Sequence, residues 1–371
     1  MSIITSYNAS CNLGNCADDI YKSAMKGICT NFELKDDIIK NTTLRIGKIN
    51  LELPNIEQED FNTRCNKIIL KTLEPLYDKI NSFKKEELAI VVATTNSSIE
   101  EYSNTNKIIY SELSNPALFL KNFFNLKNFY TTISTACSSG LKAFSIANNL
   151  LNKKIARACL VVGIDSLAKL PLFGFNSLKI LSDRPSNPFS INSAGINIAE
   201  GCGVFIVEGE GKGIEILGIG ETSDCFHNTT PNPKGASEIE AIKIALKQAK
   251  ITPNMVDYIN LHGTGTFAND SMEAFIVNQI FKNVPASSTK PLTGHCLGAA
   301  PSVEIALCLE LLNNFKGKLL PHVYDGQYNP MIEKINLVDI DKTYKKCDII
   351  VKNSFGFGGS CGVMVIRRKN G

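Results

Sequence analysis

The 371-residue chain carries 39 basic and 36 acidic side chains, a net +3 that is too balanced to build the positive field of a nucleic-acid binder. Hydrophobic residues make up 44% and charged residues 20%, which excludes a disordered chain, and no apolar run is long enough to span a bilayer. Twelve cysteines without one CxxC spacing read as reduced thiols, most of them small core residues, and give no support to a structural zinc site or a redox pair.

The length suits two domains or one large α/β unit. The opening, MSIITSYNASCNLGN, lacks the basic-then-apolar build of a secretion signal, so a cytoplasmic protein is expected. Arg64 and Lys67, in FNTRCNK, read as a charged helix face turned to solvent. From Leu88 to Thr94 (LAIVVAT) runs the first of several unbroken β-branched stretches that suit strands buried on both faces. Others follow at Ala158–Gly163, Gly203–Val207, Tyr258–Leu261 and Gly362–Ile366. The stretch Phe123–Asn128 (FFNLKN) holds enough apolar surface to line a tunnel or a dimer face. Helical spacing appears in Glu240–Gln248 and Ala300–Asn313.

Between these elements lies Thr135–Ala147, TACSSGLKAFSIA. Tyr130–Thr135 favours a strand, whereas Leu141, Phe144, Ala147 and Leu151 mark one face of a helix, so Cys137 falls on a strand-to-helix turn. Its small neighbours permit a tight turn and close approach of a substrate. A helix start carries partial positive charge and unpaired N–H groups, which should lower the thiol's pKa and make it a nucleophile. On the turn alone, a buried structural thiol is an equal alternative.

Three further stretches bear on that choice. His262 stands in NLHGTGTFAND directly after a strand, Lys290 and His295 in STKPLTGHCLGAA at the opening of a helix, and NSFGFGG (Asn353–Gly359) before the last strand. Only four histidines occur, and these two sit in glycine-rich strand-end loops, where side chains reach a crevice. His227 and His322 lack that context and read as structural or surface residues. The two halves of the chain also echo each other: Cys202–Val207 recurs as Cys361–Ile366, and Thr135–Gly140 as Thr293–Gly298, at nearly one offset. Duplicated halves related by a pseudo-twofold axis would bring Cys137 and His295 together.

TACSSG, HGTGT, KPLTGH and NSFGFGG, in this order across nearly the whole chain, resemble the β-ketoacyl-[acyl-carrier-protein] synthases of the elongating class, within the thiolase-like superfamily. The resemblance implies an αβαβα sandwich of two similar α/β halves, residues 1–210 with the nucleophile and 211–371 with the two histidines. It implies that Cys137 accepts an acyl group and that the N–H groups of Cys137 and Phe357 form an oxyanion hole. His262 and His295, both neutral, would bond the thioester carbonyl of a malonyl extender as carbon dioxide leaves. Lys290 and Glu304 would set electrostatics and orientation, Phe357 between Gly356 and Gly358 would gate the site, and Thr264, Thr266, Gly356 and Gly358 would hold substrate.

No cofactor or metal is implied. The partners implied are an acyl carrier protein, to which Arg64 and Lys67 lie roughly where the family presents basic residues, and a second subunit, identical or related; neither nucleic acid nor membrane is expected. Two departures stand out. Where the family carries aspartates and an arginine, this chain has Ser190, Asn192, Ser193 and Ala194, and Ser360-Cys361 follows NSFGFGG in place of Thr-Asn. The chain is also short for the family, which suggests a specialised synthase of polyene or polyketide assembly. The rivals are a thiolase, using Cys361 as second cysteine, and a silent subunit resembling the chain-length factors. Cys296 after His295, where thiolases have proline, weighs against the first, and retention of Cys137 with both histidines against the second.

Overall fold

The computed structural model describes residues 2–368, so residue 1 and residues 369–371 at the outer ends of the two expected halves lie outside the described residues. Its strands are β1 (Ser2–Cys11), β2 (Glu33–Ile39), β3 (Thr42–Ile46), β4 (Leu88–Ala93), β5 (Tyr130–Ile133) and β6 (Ala158–Asp165). They continue with β7 (Gly201–Glu208), β8 (Ile214–Ser223), β9 (Tyr258–Asn260), β10 (Ala286–Ser287), β11 (Ile349–Gly356) and β12 (Ser360–Arg368). β2 and β3 form a separate hairpin, and the other ten make one sheet in the order β10-β9-β11-β12-β8-β1-β7-β6-β4-β5.

That order reads the same from its centre outwards in both directions. On one side β4 pairs parallel with β5 and β6, while β6–β7 and β7–β1 are antiparallel. On the other, β9 pairs parallel with β10 and β11, while β11–β12 and β12–β8 are antiparallel. Within the sheet, the two five-stranded units join where Ser2, Ile3 and Ile4 pair with Ile216, Glu215 and Ile214. The Cys202–Val207 and Cys361–Ile366 echo therefore falls on β7 and β12, which occupy matching places.

Alternation along the buried strands sorts side chains into three cores. Ala89, Val91 and Ala93 face the central core, and Leu88, Ile90 and Val92 face an outer one. In the second unit Met364 and Ile366 face the central core, and Val363 and Val365 face the other outer one. The central core is filled by the helices Ser139–Asn152 and Ala300–Asn314. Outside lie Arg64–Leu73 and Asn115–Phe123 on one face and Ala236–Ala249 and Phe267–Phe281 on the other. The result is the helix–sheet–helix–sheet–helix layering of the thiolase-like fold, with both sheet faces covered as the unbroken apolar runs require.

Close approach at the centre is bought with glycine. Gly163 and Gly203 lie opposite each other in the β6–β7 ladder, and a Cβ on either would come within 2.1 and 2.7 Å of the Ser302 side chain. The Ala300–Asn314 helix thereby rests directly on the sheet, which fixes the loop that precedes it.

Phe124 and Leu126 pack in the outer core of the first unit, and Phe123 is exposed beside Tyr77 and Phe119, so of the two roles open to FFNLKN the structure removes the lining of the site cavity and leaves the dimer face. One expectation needs correcting here. Arg64 is not a free surface cation. Its Nε and Nη2 donate to the two carboxylate oxygens of fully buried Glu200, each at 2.6 Å, and Nη2 also bonds Ile49 O at 3.1 Å.

Candidate active site

Two matching loop positions and a third loop bring the chemistry together. Cys137 follows β5, His295 follows β10, and His262 follows β9, while Phe357 turns the chain between β11 and β12. Ala136 before the cysteine and Gly294 before the histidine both have positive φ, 51° and 69°. For a non-glycine residue that state is strained, and Ser138 and Ser139 pin it. The Ser139 hydroxyl donates to Ala136 O at 2.6 Å, and the Ser138 hydroxyl donates to Thr135 O at 2.8 Å.

Cys137, His262 and His295 line one cavity of about 220 Å³ together with Thr264, Thr266, Gly356 and Phe357. Apolar residues Phe175, Leu178, Ile180, Ile196 and Phe355 supply another part of its wall, and Asp224, His227, Asn228, Thr229 and Glu238 a polar part. The imidazole rings are perpendicular, with centroids 5.8 Å apart. His227, which the sequence context left aside, thus joins the wall, whereas His322 is a structural core residue: its Nδ1 accepts from Ser288 N at 3.1 Å and its Nε2 faces Pro188 O at 3.2 Å.

The thiol departs from the expectation of a lowered pKa. Burial pushes Cys137 up to about 11, against the pull of the Lys290 charge and of the backbone N–H groups of Phe357 and Cys137 itself. Desolvation of a thiolate outweighs the helix start because the cysteine is buried, at 6% exposure. Those two N–H groups point at the sulfur, beside the place where an oxygen of a group bonded to it would lie. Gly356 keeps them close: a Cβ there would stand 2.8 Å from Thr135 O and 3.2 Å from Cys137 N. Gly358 does not line the cavity; its N–H donates to Asn228 O at 2.7 Å, and Gly359 lines the wall instead. The Phe357 ring packs on Phe175 with centroids 5.7 Å apart.

Both catalytic-candidate histidines have their pKa values held well below 6.5, first by burial and then by the Lys290 charge, with Lys352 adding to both. They are neutral donors at physiological pH. His295 Nδ1 accepts the Leu297 N–H at 3.1 Å, which leaves the ring proton on Nε2. His262 is held through its backbone: its N–H and that of Gly263 donate to the Glu273 carboxylate at 2.8 and 2.7 Å. Thr264 and Thr266 share a hydroxyl contact of 2.9 Å at the cavity wall.

Lys290 and Glu304 lie behind the histidines, both 1% exposed, with Nζ 2.7 Å from Oε1. Lys290 Nζ also donates to His262 O at 2.6 Å. Three charged residues escaped the sequence analysis. Lys352 pairs with the other oxygen of Glu304 at 2.8 Å; Glu273 holds the His262 loop; and Asp165, at the end of β6, accepts from Thr94, Thr95 and the Gly298 N–H that follows His295. Burial pushes the Asp165 carboxyl up to about 6 despite those bonds. The available signal was the same each time, a lone charge beside or within an apolar run.

The Ser186–Gly201 loop, which carries no charge before Glu200, is also knit to the site. Ser186 Oγ donates to Thr264 O at 3.3 Å, Ser193 Oγ donates to Gly265 O, and Ser190 and Asn192 donate to Asp325 at 2.8 and 2.7 Å. Neutral hydrogen bonds to one carboxylate take the place of an ion network. Cys361, the second cysteine a thiolase would need, is absent from the cavity wall and donates to Glu238 at 3.4 Å. Among the described residues no cluster of His, Cys, Asp and Glu is placed to hold a metal, and no helix is long and apolar enough to cross a membrane.

Residues 83–212 match the family model of the β-ketoacyl synthase N-terminal domain, and residues 214–323 match that of the C-terminal domain. A chain of the solved complex of a ketosynthase (ApeO) with its chain length factor (ApeC) from Xenorhabdus doucetiae superposes with a TM-score of 0.94 at 31% identity, covering 99% of this chain and 98% of that one. The chain belongs to the β-ketoacyl synthase family. Among named relatives of this family, 3-oxoacyl-[acyl-carrier-protein] synthase 2 of Rhizobium meliloti is 32% identical over 65% of this chain and 61% of its own length. The enzyme of the same name from Synechocystis is 26% identical over 96% of this chain and 95% of its own. The match thus spans under two thirds of the Rhizobium relative and nearly all of the Synechocystis one. A β-ketoacyl synthase of Burkholderia phymatum, 20% identical with a TM-score of 0.88, shares the fold.

Proposed function

We propose that this β-ketoacyl synthase family member is an active decarboxylative condensing enzyme. The observation that carries the reading is the convergence, in one cavity, of a thiol facing two backbone N–H groups and two neutral imidazoles.

In the first half-reaction the Cys137 sulfur attacks the carbonyl of an acyl thioester. The N–H groups of Cys137 and Phe357 hold the resulting oxyanion, and collapse expels the donor thiol, which takes the proton that Cys137 gave up. A malonyl thioester then enters through the Thr264–Thr266 wall. Its carboxylate–carbon bond breaks, carbon dioxide leaves, and the electron pair moves onto the thioester oxygen. The His295 Nε2–H and the His262 ring donate to that oxygen. The carbanion attacks the acyl-cysteine carbonyl, the C–S bond breaks, and the thiolate is regenerated beside a 3-oxoacyl product. Lys290 and Glu304 position the histidines, and Phe357 on its glycine-flanked turn controls entry to the sulfur.

The acyl groups arrive on an acyl carrier protein, and the protein acts in the cytoplasm as a dimer, homotypic or with a related subunit. The resemblance to a chain of a ketosynthase–chain length factor complex supports the heterotypic form; the specialised polyene or polyketide product rests on the shortness of the chain for its family. Intact-protein mass spectrometry after incubation with a panel of acyl-carrier thioesters tests the reading: wild type gains the acyl mass and Cys137→Ala does not. Failure of every donor, with and without a candidate partner subunit, together with no release of carbon dioxide from malonyl-carrier, overturns it in favour of a silent subunit.

A further inference from the structure

Ile349, Ile350 and Val351 run straight into Lys352, a lysine with no exposed surface in the middle of a buried strand. A buried ammonium costs several kcal/mol unless its donors and its charge are matched. Here Nζ lies 2.8 Å from Glu304 Oε2, donates to Asn353 O at 2.5 Å and reaches Leu261 O at 3.4 Å. Three oxygens around one nitrogen call for three N–H donors, which the ammonium has and the free amine lacks.

Lys290 occupies the other oxygen of Glu304 and the His262 carbonyl, so two ammonium groups hold successive carbonyls at the end of β9 and share one carboxylate. Without Lys352 the cluster is a neutral pair; with it, one positive charge is left over beside both rings. Its three contacts also lie on three different pieces of the machinery. Leu261 precedes His262, Glu304 is on the helix that follows His295, and Asn353 is the next residue of β11, the strand that leads into Phe357.

Resting on the condensing-enzyme reading, we propose that Lys352 is a positioning residue: its ammonium ties the His262, His295 and Phe357 segments together, and its surplus charge keeps both imidazoles neutral for decarboxylation. The sign follows from electrostatics, since a nearby cation disfavours imidazolium and extends the neutral form to lower pH. The Lys290 and Lys352 charges both act in that direction on each ring, behind burial itself. The other ionisable groups facing the site are the Glu273 carboxylate under the His262 loop, Asp165 beside Gly298, and, on the cavity wall, the Cys137 thiol with Asp224, His227 and Glu238.

The test is the pH profile of carbon dioxide release from malonyl-carrier, without acyl donor, in wild type, Lys352→Met and the double variant Lys352→Met/Glu304→Gln. Removing the surplus charge raises the histidine pKa values, so the acid limb of Lys352→Met moves to higher pH, with a loss roughly tenfold deeper at the acid end than on the plateau. The double variant restores the net charge of the cluster and moves the limb back. An unshifted limb in folded Lys352→Met overturns the proposal, and so does a double variant that shifts further. An inactive wild type instead sinks the condensing-enzyme reading. Carbon-13 labelling of the wild-type histidines adds a test that needs neither variant nor activity: both rings titrate below the ordinary 6.5, and a ring that titrates at or above it overturns the proposal.

Discussion

Arg64 separates two accounts of one side chain, a carrier-docking cation and a structural ion pair. Glu200 is fully buried and accepts four hydrogen bonds, two from Arg64 at 2.6 Å and one each from the N–H groups of Ile49 at 2.9 Å and Leu167 at 3.1 Å. Arg64→Met leaves that carboxylate buried with only its two amide donors, a loss of about 3 kcal/mol. Glu200→Leu strands both amides as well, at about 1–3 kcal/mol each, although the guanidinium, 29% exposed, recovers part of its hydration. Glu200→Leu is therefore the costlier change, and the double variant costs less than the sum of the two. At about 2.1 cal/mol/K per residue, a chain of this size melts with roughly 0.8 kcal/mol per degree, so 3 kcal/mol lowers Tm by about 4 °C. Calorimetry of the three variants reads the melting shifts, and carrier-protein titration reads docking. A Tm unchanged in Arg64→Met, accompanied by a raised KM for the carrier, refutes the structural account and restores Arg64 to the docking surface.

Gly356→Ala drives a methyl group towards Thr135 O and Cys137 N, so acyl transfer falls by about a hundredfold while thermal unfolding of the bulk fold changes little; stopped-flow acylation measures it. Because burial lifts the Cys137 thiol to about 11, its alkylation by iodoacetamide accelerates as pH rises towards that value, and Lys290→Met, which removes a charge that favours thiolate, displaces the profile to higher pH in a peptide-mass assay. Burial lowers the His322 pKa from 6.5 to about 4, so its neutral form stabilises the fold above 6.5 and that contribution fades as pH falls to about 4. The difference corresponds to roughly 3 kcal/mol. Wild type loses that much more stability than His322→Gln over this range in denaturant titrations, if His322→Gln itself folds with its Ser288 contact intact.

The parts of the fold visible in the sequence were those whose physics is local. Leu88–Ala93 and Ala158–Asp165 are apolar at every position because helices cover both faces, and such runs announce themselves. β8 does not, because Gly218 and Gly220 weaken its strand signal for a reason that lies elsewhere. A Cβ on Gly220 would fall 1.8 Å from Ala241 O, so the glycines make room for the Ala236–Ala249 helix. β1, with polar residues throughout SIITSYNASC, was equally silent, since the partners of Asn8 and Ser10, such as the Thr72 carbonyl and the Asn15 carbonyl, come from other segments.

The site divides along the same line. Cys137, His262 and His295 were legible because each sits in a turn whose small residues and glycines serve the residue itself. The direction of the Cys137 pKa was not, because a helix start is a local property whereas burial is a property of the assembled cavity, and desolvation is the larger effect. Lys352, Glu273 and Asp165 belong to the second kind. Each is a single charge whose meaning depends on partners at least 10 residues away: Glu304 for Lys352, the His262 and Gly263 amides for Glu273, and Thr94, Thr95 and Gly298 for Asp165. A lone ionisable residue in an apolar run is nevertheless a definite sequence signal. Burial cannot keep such a charge unpaired, so the run itself announces that distant partners exist, and at a strand end beside a catalytic loop those partners bear on the chemistry.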